Sequence, residues 1–337
     1  MRACARGSCP YYLSERRRAL RIVILDGSAA NPGDLSWTPI AQLGELVVHD
    51  FTQPEQTIPR LQGAQVALTN KTVLNEAVFA ACPDLRYVGV LATGYNVVDL
   101  AAARVRGILV TNIPAYSTDS VAQFVFALLL ELCSKVALHD QAVRDGEWAR
   151  ANQFCFWKAP LVELAGKTMG LVGYGNTGSA VARIALAFGM KVVVNTPHPE
   201  KAAPLDGVTF APLDEVLASA DVVSLHCPLF DSTRNLIRAE TIARMKDGAI
   251  LINTSRGPVV NEADLAAALK SGKLAGAAVD VLTQEPPVDG SPLFGLDNCM
   301  ITPHIAWAPR EARLRLMEIA AANLKGWLDG TPQNVVS

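Results

Sequence analysis

Neither sign of charge dominates this sequence. Of its 337 residues, 30 are Lys or Arg and 32 are Asp or Glu, a formal net charge of −2. That balance lacks the basic footprint of nucleic-acid or anionic-membrane binding. Long apolar runs are missing too. The longest, VAQFVFALLLELC (121–133), is interrupted by Gln123 and Glu131 and reads as a buried helix rather than a bilayer span. Cysteine is present but unpatterned: seven, at 4, 9, 82, 133, 155, 227 and 299, never as Cys-x-x-Cys. That argues against a metal site and fits reduced thiols in the cytoplasm. No repeat of fixed period and no low-complexity segment occurs. Residues 1–20, MRACARGSCPYYLSERRRAL, lack the apolar core of a signal peptide. They read as a poorly ordered extension or an upstream start, with a basic binding tail as the alternative.

What the chain does have is apolar bulk. Half its residues are hydrophobic and 18% are charged, enough to bury the cores of two domains at this length. The most informative stretch is TMGLVGYGNTGSAVARIALAFGMKVVVN (168–195). An apolar run, Met169 to Val172, enters Gly173-Tyr174-Gly175-Asn176-Thr177-Gly178. A helical pattern and a second apolar run, Val192 to Val194, follow. Strand, glycine turn, helix and strand form the unit that seats a dinucleotide pyrophosphate on a helix N-terminus. Gly173 permits the tight turn, Gly175 the approach of phosphates, and Gly178 close packing of helix on strand.

Before that fingerprint, strands are predicted at 21–25, 45–49, 65–69, 86–90 and 108–111, with helices near 36–43, 55–62, 73–80 and 99–105. This alternation predicts a parallel sheet covered on both faces. A long helix is expected over 118–140, then a less regular segment, 145–165, rich in aromatics. The second series has strands at 168–172, 191–195, 221–225, 249–253, 276–280 and 299–302. A last helix, 309–328, places Leu314, Met317, Ala321 and Leu324 on one face and returns to the first domain. The fold class is therefore α/β, with two doubly wound parallel-sheet domains. A Rossmann nucleotide-binding domain (117–305) is inserted into a flavodoxin-like substrate domain (21–116 and 306–337), leaving a cleft between them for the chemistry.

Three polar residues follow strands of the second series: Arg256 in AILINTSRGPVV, Glu285 in AAVDVLTQEPP and His304 in CMITPHIAWAP. All three are expected at one carboxyl rim. Hydride transfer to a 2-oxo acid needs a cation to hold the carboxylate and polarise the ketone, which suits arginine. It also needs a group that gives and takes a proton near neutral pH, which suits histidine. A carboxylate beside the imidazole fixes its tautomer and favours its charged form.

These segments also carry a family resemblance. GYGNTG (173–178), SLHCPL (224–229), NTSRGPVVNEADL (253–265), AGAAVDVLTQEP (275–286) and TPHIAWAP (302–309) resemble the D-isomer-specific 2-hydroxyacid dehydrogenases over residues 21–330. VLATGYNVVDL (90–100) and PAYSTDSVAQFVFALLLEL (114–132) are similar to the glycerate dehydrogenase and hydroxypyruvate reductase branch. The resemblance implies a catalytic set of Arg256, Glu285 and His304. It assigns to the coenzyme the loop Gly173 to Gly178, Asn195 and Thr196, His226, Cys227 and Pro228, Thr254, and Asp280 at the nicotinamide amide. To the substrate it assigns Lys71, the backbone N–H groups of Ala92, Thr93 and Gly94, Arg256 and His304. A packing role stays open for His226, and plain solvation for Lys71. The implied assembly is a homodimer, with the long helix and the 145–165 segment, Trp157 included, reaching a partner.

One position departs from the pattern. After the second Rossmann strand an Asp usually accepts hydrogen bonds from the ribose of NAD; here the chain reads Val194-Asn195-Thr196-Pro197-His198. No carboxylate repels a 2′-phosphate, and no arginine in 196–200 holds one; Lys201 is the nearest cation. NAD is the expected coenzyme, with NADP as the alternative. The expected reaction is reduction of hydroxypyruvate or glyoxylate to D-glycerate or glycolate. Two other readings compete: formate or phosphite oxidation, disfavoured because formate enzymes of this family carry Gln in place of Glu285, and an NAD-sensing corepressor.

Overall fold

A computed structural model describes residues 20–203 and 205–337. The extension expected over 1–20 lies outside the described residues except for Leu20, which is buried. The chain divides into two compact units, one running to Tyr116 and resuming at Ala308, the other spanning Ser117–Trp307.

The first unit holds β1 (Arg21–Ile24), β2 (Glu45–Val48), β3 (Val66–Thr69), β4 (Tyr87–Val90) and β5 (Leu109–Thr111). β3 and β4 are buried at every position, as helices on both faces demand. All pairs are parallel, in the order β2-β1-β3-β4-β5. This flavodoxin-type order puts a switch point between β1 and β3, where loops diverge and ligands bind. Asp26 follows β1, and Asn70 and Lys71 follow β3. The closing helix, Arg310–Leu328, buries Ala312, Arg313, Leu316, Met317, Ala320, Asn323 and Leu324. The predicted face is therefore corrected: Met317 and Leu324 point inward, but Leu314 is 42% exposed. The buried stripe runs through 313, 316, 317, 320 and 324, the spacing of a 3.6-residue turn. Arg313 lies on that stripe because Asp34 receives its guanidinium through two bonds of 2.6 and 2.7 Å. Beyond the helix, Val335 bridges antiparallel to Thr111.

The second unit contains β6 (Thr168–Val172), β7 (Lys191–Asn195), β8 (Val208–Phe210), β9 (Val222–Leu225), β10 (Ala249–Asn253), β11 (Leu274–Val279) and β12 (Cys299–Ile301). They lie parallel in the order β12-β11-β10-β9-β6-β7-β8, the dinucleotide-binding order extended by one strand. Its switch point falls between β6 and β9, where the glycine turn and the segment from His226 leave the sheet. β8 was not predicted; three residues are too few to show a period. The helix expected over 118–140 is instead two, Thr118–Ser134 and Val136–Arg144, bent by 56°. Lys135 sits between them in the left-handed conformation, φ 49°. The first helix buries eight residues but the second only Ala142, so core packing does not hold the two in line. A short helix, Glu147–Arg150, interrupts the irregular segment. Among the described residues no single helix is long and apolar enough to cross a membrane.

Candidate active site

Three adjacent strands deliver the candidate residues. Asn253 of β10 lies opposite Val279 of β11, and Val279 opposite Ile301 of β12. The chain therefore leaves the sheet at one level three times, toward Arg256, Glu285 and His304. His304 Nδ1 lies 2.7 Å from Glu285 Oε2. The other carboxylate oxygen, Oε1, accepts the Leu282 N–H at 2.9 Å. Both side chains stay partly exposed, His304 at 27% and Glu285 at 34%, so the pair can meet a ligand. Engaging Nδ1 leaves Nε2 as the ring nitrogen for proton transfer.

His304 itself adopts φ 56°, a left-handed backbone uncommon outside glycine. Asp280, 1% exposed, braces that turn from both sides. Its Oδ1 accepts from Thr302 Oγ1 at 2.6 Å and the Ile305 N–H at 2.9 Å, and its Oδ2 from the Ala306 N–H at 2.9 Å. Burial pushes the Asp280 carboxyl above its ordinary range, opposed by those three donors and by nearby His304. Asp280, expected at the nicotinamide amide, thus spends much of its accepting capacity on the loop that bears His304.

Arg256 is placed by Asn253, whose Nδ2 donates to the Arg256 carbonyl at 2.9 Å and whose Oδ1 accepts from Ser255 N and Oγ at 3.0 and 2.8 Å. A Cβ on Gly257 would lie 2.0 Å from the Leu282 carbonyl carbon. The arginine loop is therefore seated on the segment that binds Glu285. The guanidinium Nη1 donates to the Ser255 carbonyl at 2.7 Å. The structure thus pairs His304 with Glu285 and sets the Arg256 loop against theirs, while the guanidinium turns to its own backbone. Asn253 and Thr302 were not anticipated; the one available signal was a polar residue ending each apolar strand.

The glycine turn suits a dinucleotide. Gly173 has φ 101°, and a Cβ there would lie 2.6 Å from the His226 carbonyl carbon. A Cβ on Gly178 would meet the Gly173 oxygen at 2.3 Å, whereas one on Gly175 would meet nothing within 4 Å. The helix Asn176–Ala187 starts with no side-chain cap and no acid in its first turn, leaving N–H groups and dipole for an anion. Thr254 Oγ1 is buried without a hydrogen-bond partner, the one such side-chain atom among the described residues. An open cradle, an uncapped helix and an orphaned hydroxyl are what a bound NAD(P) would fill.

The other predicted coenzyme residues are placed as follows. Thr177 is half-buried at the helix start, and Asn176 is exposed. Tyr174 packs edge-on against Phe210, ring centroids 5.4 Å apart. Asn195 Nδ2 donates to the Ala211 carbonyl at 3.2 Å, and Thr196 is half-buried. His226 Nε2 lies 2.9 Å from Ser224 Oγ, and burial lowers its pKa to about 4. Cys227 is buried, which raises its thiol to about 11, and Pro228 is exposed. In the first unit, Lys71 is exposed and its N–H donates to Asp26 Oδ2 at 2.6 Å. Ala92, Thr93 and Gly94 follow β4 with solvent access. No group of three His, Cys, Asp or Glu able to hold a metal occurs among the described residues.

A family model described as D-isomer specific 2-hydroxyacid dehydrogenase, NAD binding domain, matches residues 126–306. Over 321 residues the chain is 50% identical to a hydroxypyruvate reductase of Blautia hydrogenotrophica, covering 94% of this chain and 100% of the relative. The chain belongs to the D-isomer-specific 2-hydroxyacid dehydrogenases. This dehydrogenase is also 42% identical over 285 residues to a glycerate dehydrogenase of Methylorubrum extorquens, covering 84% of this chain and 88% of the relative. Among solved structures, the NADPH-dependent glyoxylate/hydroxypyruvate reductase of Sinorhizobium meliloti matches with a TM-score of 0.81 at 28% identity, over 94% of this chain and 98% of that one. As a member of this family, the protein is an oxidoreductase that uses a nicotinamide dinucleotide.

Proposed function

We propose that this dehydrogenase reduces hydroxypyruvate and glyoxylate to D-glycerate and glycolate. The observation that carries the proposal is the 2.7 Å contact between His304 Nδ1 and Glu285 Oε2, the acid–base pair that carbonyl reduction needs and formate oxidation does not. The names of its relatives support the substrate class. The coenzyme supplies the hydride. Arg256 binds the 2-oxo acid and draws electron density toward the carbonyl oxygen. His304 Nε2 delivers a proton to that oxygen and removes it in the reverse reaction, while Glu285 holds the ring by Nδ1. Lys71 and the N–H groups of Ala92, Thr93 and Gly94 are assigned to the substrate carboxylate. Thr254 and the glycine turn are assigned to the coenzyme, with NADH preferred because no arginine follows Asn195 to hold a 2′-phosphate.

Initial rates with hydroxypyruvate, glyoxylate, pyruvate and 3-phosphohydroxypyruvate, each with NADH and NADPH, test this reading. The first two substrates should lead in kcat/KM. A lead for pyruvate would reject the substrate assignment, and an excess beyond about tenfold with NADPH would reject the coenzyme preference.

The functional unit is a homodimer. Trp148, Phe154, Trp157 and Leu161 are each more than half exposed within one short stretch, an apolar concentration that a second copy would cover. The five described cysteines are free, which supports a reducing, cytoplasmic setting.

A further inference from the structure

The loop after β4 is anchored by its carbonyl groups. Leu91 O accepts from Asn70 Nδ2 at 2.7 Å, Ala92 O from the Ile113 N–H at 3.0 Å, and Thr93 O from Asn112 Nδ2 at 2.7 Å. These peptides are trans, and in a trans peptide the N–H points opposite to the C=O. Tying down three successive carbonyls therefore holds the N–H groups of Ala92, Thr93 and Gly94, each pointing away from its own anchored carbonyl. Among the described residues, none of those three N–H groups donates a hydrogen bond to the protein. Thr93 is exposed, with Ala92 and Gly94 half-buried beside it.

The two carboxamides are themselves held. Asn70 is 4% exposed and Asn112 9%. The Asn70 N–H donates to Asp26 Oδ1 at 2.7 Å. The Asn112 carbonyl accepts from Asn323 Nδ2 at 2.9 Å, and Asn323 Oδ1 accepts from Asn334 Nδ2 at 2.7 Å. A relay of side-chain amides thus runs from the closing helix to the loop.

We propose that Asn70 and Asn112 are positioning residues for carboxylate recognition: by fixing the carbonyls of Leu91 and Thr93, they turn the next N–H groups into a ready-made anion cradle. This rests on the reading that residues 92–94 meet the substrate carboxylate. The choice of amide follows from electrostatics. An aspartate at 112 would set a negative charge behind an anion site, whereas a neutral amide orients backbone dipoles without adding charge.

The test uses the full-length enzyme at saturating NADH, with glyoxylate and its uncharged ester, methyl glyoxylate, as probes. Asn112→Asp and Asn112→Leu remove or compromise the donor at nearly constant volume. Each should raise KM for glyoxylate about tenfold, with kcat changed less than about threefold, the signature of lost uniform binding. KM for methyl glyoxylate and the NADH dissociation constant from fluorescence titration should stay unchanged. Asn323→Leu, one step back in the relay, should raise KM for glyoxylate about threefold, and it serves as the test if both variants at 112 fail to fold. If the wild-type enzyme shows the same KM for acid and ester, the reading of the 92–94 loop fails. If it discriminates but the variants keep the wild-type KM for glyoxylate, or lose affinity for both probes equally, the positioning proposal fails.

Discussion

The two sheets end in rims built on one plan and, on the roles proposed above, put to different uses. Each unit buries an aspartate just past a strand, Asp26 after β1 and Asp280 after β11, at 4% and 1% exposure. Each carboxylate gathers a neighbouring loop: Asp26 accepts the N–H groups of Asn70, Lys71 and Thr72 at 2.6–2.8 Å, and Asp280 those of Ile305 and Ala306 at 2.9 Å. The loops then diverge. The one on Asp280 carries His304, partly exposed and paired with Glu285. The one on Asp26 carries Asn70, whose buried amide orients backbone. On the roles proposed above, moving a proton needs a titratable side chain, whereas backbone dipoles held still add to the grip on a permanent anion. A buried aspartate braces the loop at each rim.

The sharpest way to break this contrast is to remove the groups assigned to the reaction. His304→Ala and Arg256→Ala should each cut turnover at least ~100-fold, with the NADH dissociation constant within about threefold of wild type by fluorescence titration. Glu285→Gln should lower turnover by roughly tenfold. Near-normal turnover in either alanine variant would remove the second rim from the chemistry.

The two aspartates allow a closer comparison. Asp280→Asn should lower kcat about tenfold at little change in KM, because the turn under His304 loosens. Asp26→Asn should raise KM for glyoxylate several-fold at little change in kcat. Both should lose about 1–3 kcal/mol in urea unfolding, the scale of compromised buried hydrogen bonds. A reversed pattern of kcat and KM would show that the rims do not divide the work as drawn.

The smallest effect concerns His226, which lies beside the second rim but titrates outside its working range. Burial lowers its pKa from 6.5 to about 4, so folding disfavours its charged form. Its contribution to stability is whole above pH 6.5 and drains away as pH falls toward 4. Between pH 7 and pH 5 this should cost about 1–2 kcal/mol in denaturant unfolding. His226→Gln should flatten that slope and leave the pH–rate profile above pH 6 in place. A moved profile would make His226 part of the chemistry.

Much of the second rim was legible because its signals are local. Glycines at 173, 175 and 178 fall between apolar runs, and Arg256, Glu285 and His304 each follow a strand within a few residues. The first rim was far less legible. Asn323 and Asn112 are 211 positions apart, and no spacing rule pairs one asparagine with another at that distance. The bend at Lys135 was hidden because the helical pattern continues on both sides, and only packing shows where the core stops. Asp280 was singled out for the coenzyme, but its grip on the His304 turn depends on register between β11 and β12. Leu314 misled because a plausible apolar face omitted Arg313, an inward position filled by a charge with its own partner.

The left-handed backbone at His304 sets this position at odds with durability. Asparagine or glycine would adopt φ 56° with less strain, a relief of about 1 kcal/mol. On the catalytic role proposed for His304, a library selected for heat resistance alone would therefore drift toward those residues at 304 and yield a sturdier, inert protein. On that reading, histidine at this turn survives only under selection for turnover.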